Sequence, residues 1–286
     1  MDFFIQTIVN SGIQGSFYCL WAVGLVMVFG VMRVVNFAHG ELVMIGAYTV
    51  WFSYQEHNVP FILAILLAVL IVVAIGAIME IFLFRPKRHD PLGGLICSLG
   101  VLFILQVAAH LVGGTGPSKQ VIAPFSGITE FFGGMIRVAD QKLFSVAVIV
   151  ATLFVLWYFL TRTKFGWALR AMAMDREAAA LQGININRTA LIAICISAGL
   201  AGLAGGLIAP MININPYIGH NVIIASFIIT IVGGIGSLTG AVTIAFVYAL
   251  FHTFITAYWD GTIATMCGLL IMVVVLIFKP KGIMGK

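Results

Sequence analysis

"PFILAILLAVLIVVAIGAIMEIFLF", residues 60–84, carries a single ionisable side chain, Glu80. About 20 apolar residues in a helix span the ~30 Å of hydrocarbon in a bilayer. Lipid offers the backbone no hydrogen-bonding partner, so a buried segment must be a helix or belong to a closed barrel. A barrel strand alternates apolar and polar residues, and this stretch does not. It is a membrane helix. Glu80 lies five residues before Arg85, close enough to the end of the span to snorkel toward the interface.

The rest of the chain repeats the pattern. Its 286 residues are 62% hydrophobic and 9% charged, with a mean hydropathy of +1.12; a soluble domain is nearer half apolar and a quarter charged. Spans are read near 4–30, 41–55, 60–84, 92–112, 143–161, 189–212, 221–233, 240–258 and 261–278. Two of these, 41–55 and 221–233, are short enough to be broken or partial helices, so eight to ten crossings are expected. The fold class is all-α, a polytopic membrane helical bundle forming one transmembrane domain over 1–286, with no soluble catalytic domain. The start, "MDFFIQTIVNSGIQGS", has no Lys or Arg before Arg33, unlike a cleaved signal peptide, so the first segment is expected to stay as a helix. Cys19, Cys97, Cys195 and Cys267 sit apart in apolar runs and read as small core side chains rather than a metal or disulfide set.

Charge supplies the orientation. Arg33, then Arg85, Lys87 and Arg88, then Arg162, Lys164, Arg170, Arg176 and Arg188, then Lys279, Lys281 and Lys286 fall on one side of the nine spans. Lys119, Arg137 and Lys142 fall on the other. The positive-inside rule puts the basic side in the cytoplasm, the N-terminus outside and the C-terminus inside. The net charge of +5 therefore reflects topology, not nucleic-acid binding. The largest external segment is 113–142; its Gly, Pro and Ser content forbids a long helix, and its "TEFFGGMI" reads as loop or as a segment lying flat at the interface.

One cytoplasmic stretch, "RAMAMDREAAALQGINI" (170–186), is ionised and alanine-rich. Asp175 suits an N-cap, Glu177 complements the helix dipole in the first turn, and Gly183 suits the left-handed position ending the helix. The result is a helix of about two turns, Arg176 to Gln182, too short to be stable alone. It is either a capped surface turn or a slim docking element whose alanines enter a groove.

"EAAALQG" resembles the coupling helix of ABC importer permeases, which docks into the ATP-binding subunit. "GLVMVFGVMRVVNFAHGELVMIGAY" (24–48), "TRTKFGWALRAMAMDREAAALQGININR" (161–188), "ININPYIG" (212–219), "GGIGSLTGA" (233–241) and the tail "KPKGIMGK" are similar to the branched-chain amino-acid permeases within that superfamily. The resemblance covers essentially the whole chain. Phe37 and "INPYIG" favour the amino-acid branch over the urea and short-amide permeases, which are the alternative. The resemblance implies a coupling role for Asp175, Arg176, Glu177, Ala178, Ala179 and Gly183 in the cytoplasmic loop 162–188. It implies a bacterial inner-membrane subunit working with a homologous second permease, two cytoplasmic ATP-binding subunits and an extracytoplasmic substrate-binding protein.

Other polar clusters have two readings each. Asn36, His39 and Glu41, with Gly40 and Gly46, line a substrate pathway through a discontinuous helix or hydrogen-bond neighbouring helices. Asn213, Asn215, Pro216 and Tyr217 greet substrate at the external face or turn the chain. Gly233, Gly234 and Gly236 must bend the chain or line a cavity. No G-x-x-x-x-G-K-[ST] occurs, so ATP is expected on partner subunits and no cofactor on this chain. Neither a catalytic triad nor a metal-ligand set appears, and Glu41 is the one carboxylate expected to be buried. A single carboxylate is thin equipment for an ion-coupled secondary transporter.

Overall fold

The computed structural model describes residues 2–32, 34–88, 90–113, 118–131, 134 and 136–285. Arg33 and Lys286 of the basic set, and residues 114–117, 132, 133 and 135 of the external loop, lie outside the described residues. The elements run α1 (Asp2–Met32), α2 (His39–Val50), α3 (Phe61–Met79), α4 (Pro91–Gly113), β1 (Ile128–Phe131), β2 (Ile136–Ala139), α5 (Asp140–Arg162), α6 (Lys164–Met174), α7 (Arg176–Leu181), α8 (Ile186–Ile208), α9 (Ile218–Gly233), α10 (Leu238–Tyr258) and α11 (Gly261–Phe278). Two π-helical turns, Trp51–Glu56 and Glu80–Phe84, extend α2 and α3.

Among the described residues seven helices are long and apolar enough to cross a membrane, and α9 is a shorter apolar helix of 16 residues. The two spans that look short in the sequence are α2 with its π turn, and α9. The span 60–84 shows how the sequence sorts its faces. Phe61, Ala64, Ile65, Ala68, Val72, Gly76 and Met79 are buried, a stripe at helical spacing. Ile62, Leu63, Leu66 and Leu70 are exposed, as a face turned to lipid must be.

Where the sequence reads as one domain, packing divides the chain into two compact units. The first comprises residues 27–122 and 152–223, and within it α2, α3 and α8 pack against one another most extensively. Small residues allow this. A Cβ added at Gly46 would lie 2.7 Å from the Gly202 carbonyl oxygen, and one at Gly205 would overlap the Val43 carbonyl at 2.0 Å. Without a hydrophobic drive between helices in lipid, such close backbone approach is the main source of packing energy.

The second unit comprises residues 1–26, 123–151 and 224–286. Its external segment corrects the sequence reading. Residues 128–131 and 136–139 pair as antiparallel strands, Ile128 opposite Ala139 and Glu130 opposite Arg137, so "TEF" (129–131) is strand rather than a flat interfacial segment. Gln6 of α1 holds the strand pair: its Oε1 accepts the Arg137 amide and its Nε2 donates to the Arg137 carbonyl, both at 3.0 Å. Asp260 caps α11, and the Thr262 amide donating to it at 2.7 Å holds its carboxyl below the ordinary range.

Candidate functional site

Residues 34–36, between α1 and α2, have no regular secondary structure, residues 37 and 38 form a turn, and α2 begins only at His39. This is the discontinuity that the Asn36–Glu41 cluster suggested. Ser98 of α4 anchors the break, accepting the Phe37 amide at 3.2 Å and donating to the Val35 carbonyl at 3.3 Å. Asn36 Oδ1 accepts the Ala38 amide at 3.1 Å, which helps settle the orphan donors at a helix start. Asn36, His39 and Glu41 are 3%, 0% and 1% exposed, so all three polar side chains are inside the protein.

Glu41 is the chemical centre of this group. Its Oε1 accepts the Gln106 side-chain amide at 2.9 Å, and its Oε2 is buried without a hydrogen-bond partner among the described residues. Gln106 stands fifteen residues into α4 from Pro91, roughly 22 Å along the helix at 1.5 Å per residue. The carboxylate is therefore deep in the span region. Gly40 meets Gly219, the second residue of α9, so closely that an added Cβ would lie 2.1 Å from the Gly219 carbonyl oxygen. A Cβ on Gly219 would meet the Glu41 carboxyl carbon at 2.6 Å. The starts of two helices thus converge on one carboxylate and present backbone amides and positive dipole ends. Neither Ser98 nor Gln106 was marked by the sequence, since each is a lone polar residue in an apolar run.

Asn215 and Tyr217 lie just before α9. Asn215 Oδ1 accepts the Tyr217 amide at 2.9 Å, an Asx turn, and the Tyr217 ring is 69% exposed. Ile214 exchanges both backbone hydrogen bonds with Lys119 at 2.8 Å, and Gln120 donates to Asn213 Oδ1 at 2.9 Å. The segment is a hydrogen-bonded lip leading into α9. Gly233, Gly234 and Gly236 belong to the other unit. There the C-terminal tail crosses the end of α9, Ile283 donating to the Val232 carbonyl at 2.8 Å and Met284 to the Gly233 carbonyl at 3.3 Å. The glycines bend the chain and admit the tail, Gly234 at φ +105° and Gly236 at φ +82°.

At the basic end, α7 has the caps its sequence encodes. Asp175 accepts the amides of Glu177 and Ala178 at 2.9 and 3.0 Å. Gly183, at φ +82°, donates to Ala180 at 3.0 Å, and Ile184 donates to Ala179 at 3.1 Å, the pattern of a Schellman stop. Ala179 is buried, whereas Ala178, Ala180 and Leu181 are exposed, Leu181 at 87%. Arg176, Glu177 and Ala180 edge a cavity of about 850 Å³ that Met32, Arg85, Arg88, Met172 and Asn187 also line.

Beneath this cavity the structure corrects a second expectation. Glu80 does not snorkel: it is 0% exposed and forms an ion pair with Arg88, which also donates to Asn187 Oδ1. The pairing was hidden in the sequence because the chain turns at residues 85–88 before Arg88 points back. Among the described residues no cluster of three or more His, Cys, Asp or Glu side chains is placed to hold a metal ion.

Comparison with known proteins follows this geometry. Residues 7–279 match the family described as branched-chain amino acid transport system / permease component. The chain is 31% identical to the high-affinity branched-chain amino acid transport system permease protein LivH of Salmonella typhimurium, covering 99% of this chain and 96% of that one. It is likewise 31% identical to BraD of Pseudomonas aeruginosa, a permease protein of the same description, over 99% and 96%. A solved structure, PsaBC from Streptococcus pneumoniae in complex with Fab, superposes with a TM-score of 0.54 at 12% identity, covering 95% of this chain and 91% of that chain. That last likeness concerns the fold.

Proposed function

We propose, from the premise that this chain belongs to the family of branched-chain amino acid transport permease components, that it is a membrane-spanning subunit of an ATP-driven importer for leucine, isoleucine, valine and related neutral amino acids. The observation that carries the reading is α7, a two-turn helix capped at both ends whose Ala178, Ala180 and Leu181 stand exposed at the basic end. An isolated helix of this length is not stable by propensity, and its caps hold it ready for a partner.

In this reading the basic end faces the cytoplasm of a bacterial inner membrane. Two ATP-binding subunits receive α7 and its counterpart on a homologous second permease, and an extracytoplasmic binding protein delivers substrate to the lip at Asn215 and Tyr217. ATP is bound by the partner subunits, and this chain carries out no bond chemistry. Closure of the ATP-binding subunits moves α7, and the helices re-pack to open the pathway past Asn36, His39 and Glu41. Glu41 meets the substrate ammonium, and the amides at the starts of α2 and α9 meet its carboxylate. Affinity purification of the tagged chain in mild detergent tests this. Two ATP-binding subunits, a second permease and, with substrate present, a binding protein are expected. Recovery of the chain alone, active without them, would refute the reading.

A further inference from the structure

Glu80 is a fully buried carboxylate near the end of an otherwise apolar span, and the transport pathway does not use it. Arg88, from the turn that follows, pairs with it directly. Arg85, at the end of the same π-helical turn, and Arg176, the first residue of α7, line the same cavity as Arg88. Arg88 is itself 5% exposed along its side chain and uses its second nitrogen on Asn187, in the first turn of α8.

The Glu80–Arg88 pair therefore ties the end of α3 to the start of α8, beside a cavity that the head of α7 also lines. α3 and α8 are the most extensively packed pair of helices in their unit, with Gly76 against Ala198 and Gly202 against Ala68. A shift of one is passed to the other, because packed interiors do not deform continuously. The π-helical turn Glu80–Phe84 is a wider coil of a kind often found at functional sites in helices. Burying an ion pair is a poor way to gain stability, since apolar residues of similar volume do as well or better. Its retention fits a role in which charge is read by a moving neighbour.

We propose that Glu80 and Arg88, with Asn187, are positioning residues that transmit displacement of α7 to α3 and α8, through the cavity that Arg176 and Arg88 both line. This rests on the importer reading above. When the ATP-binding subunits draw α7 aside, Arg176 leaves the cavity wall that it shares with Arg88. Arg88 then shifts against Glu80 and Asn187, and the end of α3 follows.

The test uses the whole complex in proteoliposomes and reads ATP hydrolysed per amino acid transported. Glu80→Leu/Arg88→Leu removes both partners of the ion pair together. Arg88→Lys keeps the charge but loses the planar fork that spans Glu80 and Asn187. Both variants are expected to retain the ATP-binding subunits and to hydrolyse ATP, with the ratio raised about tenfold, within the usual range for coupling between sites. A parental ratio in either assembled variant overturns the proposal. Loss of assembly in both overturns it too, since the pair would then only hold the fold. A parental complex that binds no ATP-binding subunit would instead refute the importer reading.

Discussion

Replacing Gly40 by alanine tests whether the convergence of α2 and α9 sets the position of Glu41. The new Cβ would lie 2.1 Å from the Gly219 carbonyl oxygen, 2.9 Å from its carbonyl carbon and 3.0 Å from Ile223 Cβ. An ordinary carbon–oxygen contact is nearer ~3.3 Å, so the two backbones must part by about 1 Å. Neither obstacle is the far end of a flexible side chain. Overpacking of this kind costs roughly 1–3 kcal/mol. Parting the helices also strains the 2.9 Å bond between Gln106 and Glu41, and a hydrogen bond to a charged group contributes about 1.5–3 kcal/mol. Helix propensity alone would give the opposite sign, because Gly→Ala favours a helix by up to ~1 kcal/mol. Gly12 of α1 is the control, since nothing lies within 4 Å of its added Cβ. The assays are the denaturation midpoint of the purified chain in detergent and substrate uptake by the reconstituted complex. Gly40→Ala is expected to lower the midpoint and slow uptake at least about tenfold, the equivalent of roughly 1.4 kcal/mol. Gly12→Ala should match or exceed the parent in both. If Gly40→Ala behaves as the parent, the close approach does not position the carboxylate and the reasoning fails.

Three more expectations follow from other parts of the molecule. Glu41→Gln keeps the size of the side chain and removes its charge, so uptake should fall with the complex still assembled and ATP hydrolysis still present; loss of assembly would make Glu41 a purely structural residue. Gly183→Val forces a β-branched residue to the φ of +82° that favours glycine, and Ala178→Trp enlarges an exposed methyl; each should release the ATP-binding subunits in a pull-down, and retention of both at the parental level would reduce α7 to a capped turn. A cysteine placed at position 182, with the four native cysteines removed, should resist impermeant thiol reagents added outside intact cells, and efficient labelling there would reverse the orientation.

The helices and the caps of α7 were legible in the sequence because they rest on local chemistry. Twenty apolar residues must be a helix in lipid, Asp175 must accept amide protons ahead of α7, and Gly183 suits a left-handed stop. The break before α2 was legible for a similar reason, since Asn36, His39 and Glu41 are too polar for a lipid face. Partners across long separations in the chain were not legible. Gln106 meets Glu41 only because α4 packs on α2, and Glu80 meets Arg88 only because the chain turns at 85–88. The strand pair at 128–139 was missed because "ITEF" and "IRVA" are too short to show a period of two. Likewise nothing near Val232 and Gly233 signals that a tail some fifty residues later supplies donors to their carbonyls.

The claim that this chain is driven by ATP through its partners is tested most directly by reconstituted uptake. The complete complex would be placed in vesicles with ATP on the side of the basic end, and binding protein with radiolabelled leucine on the other. Accumulation against a gradient that requires both ATP and binding protein, and that ionophores leave unchanged, is the expected result. Accumulation without ATP, driven by a proton or sodium gradient, would contradict it.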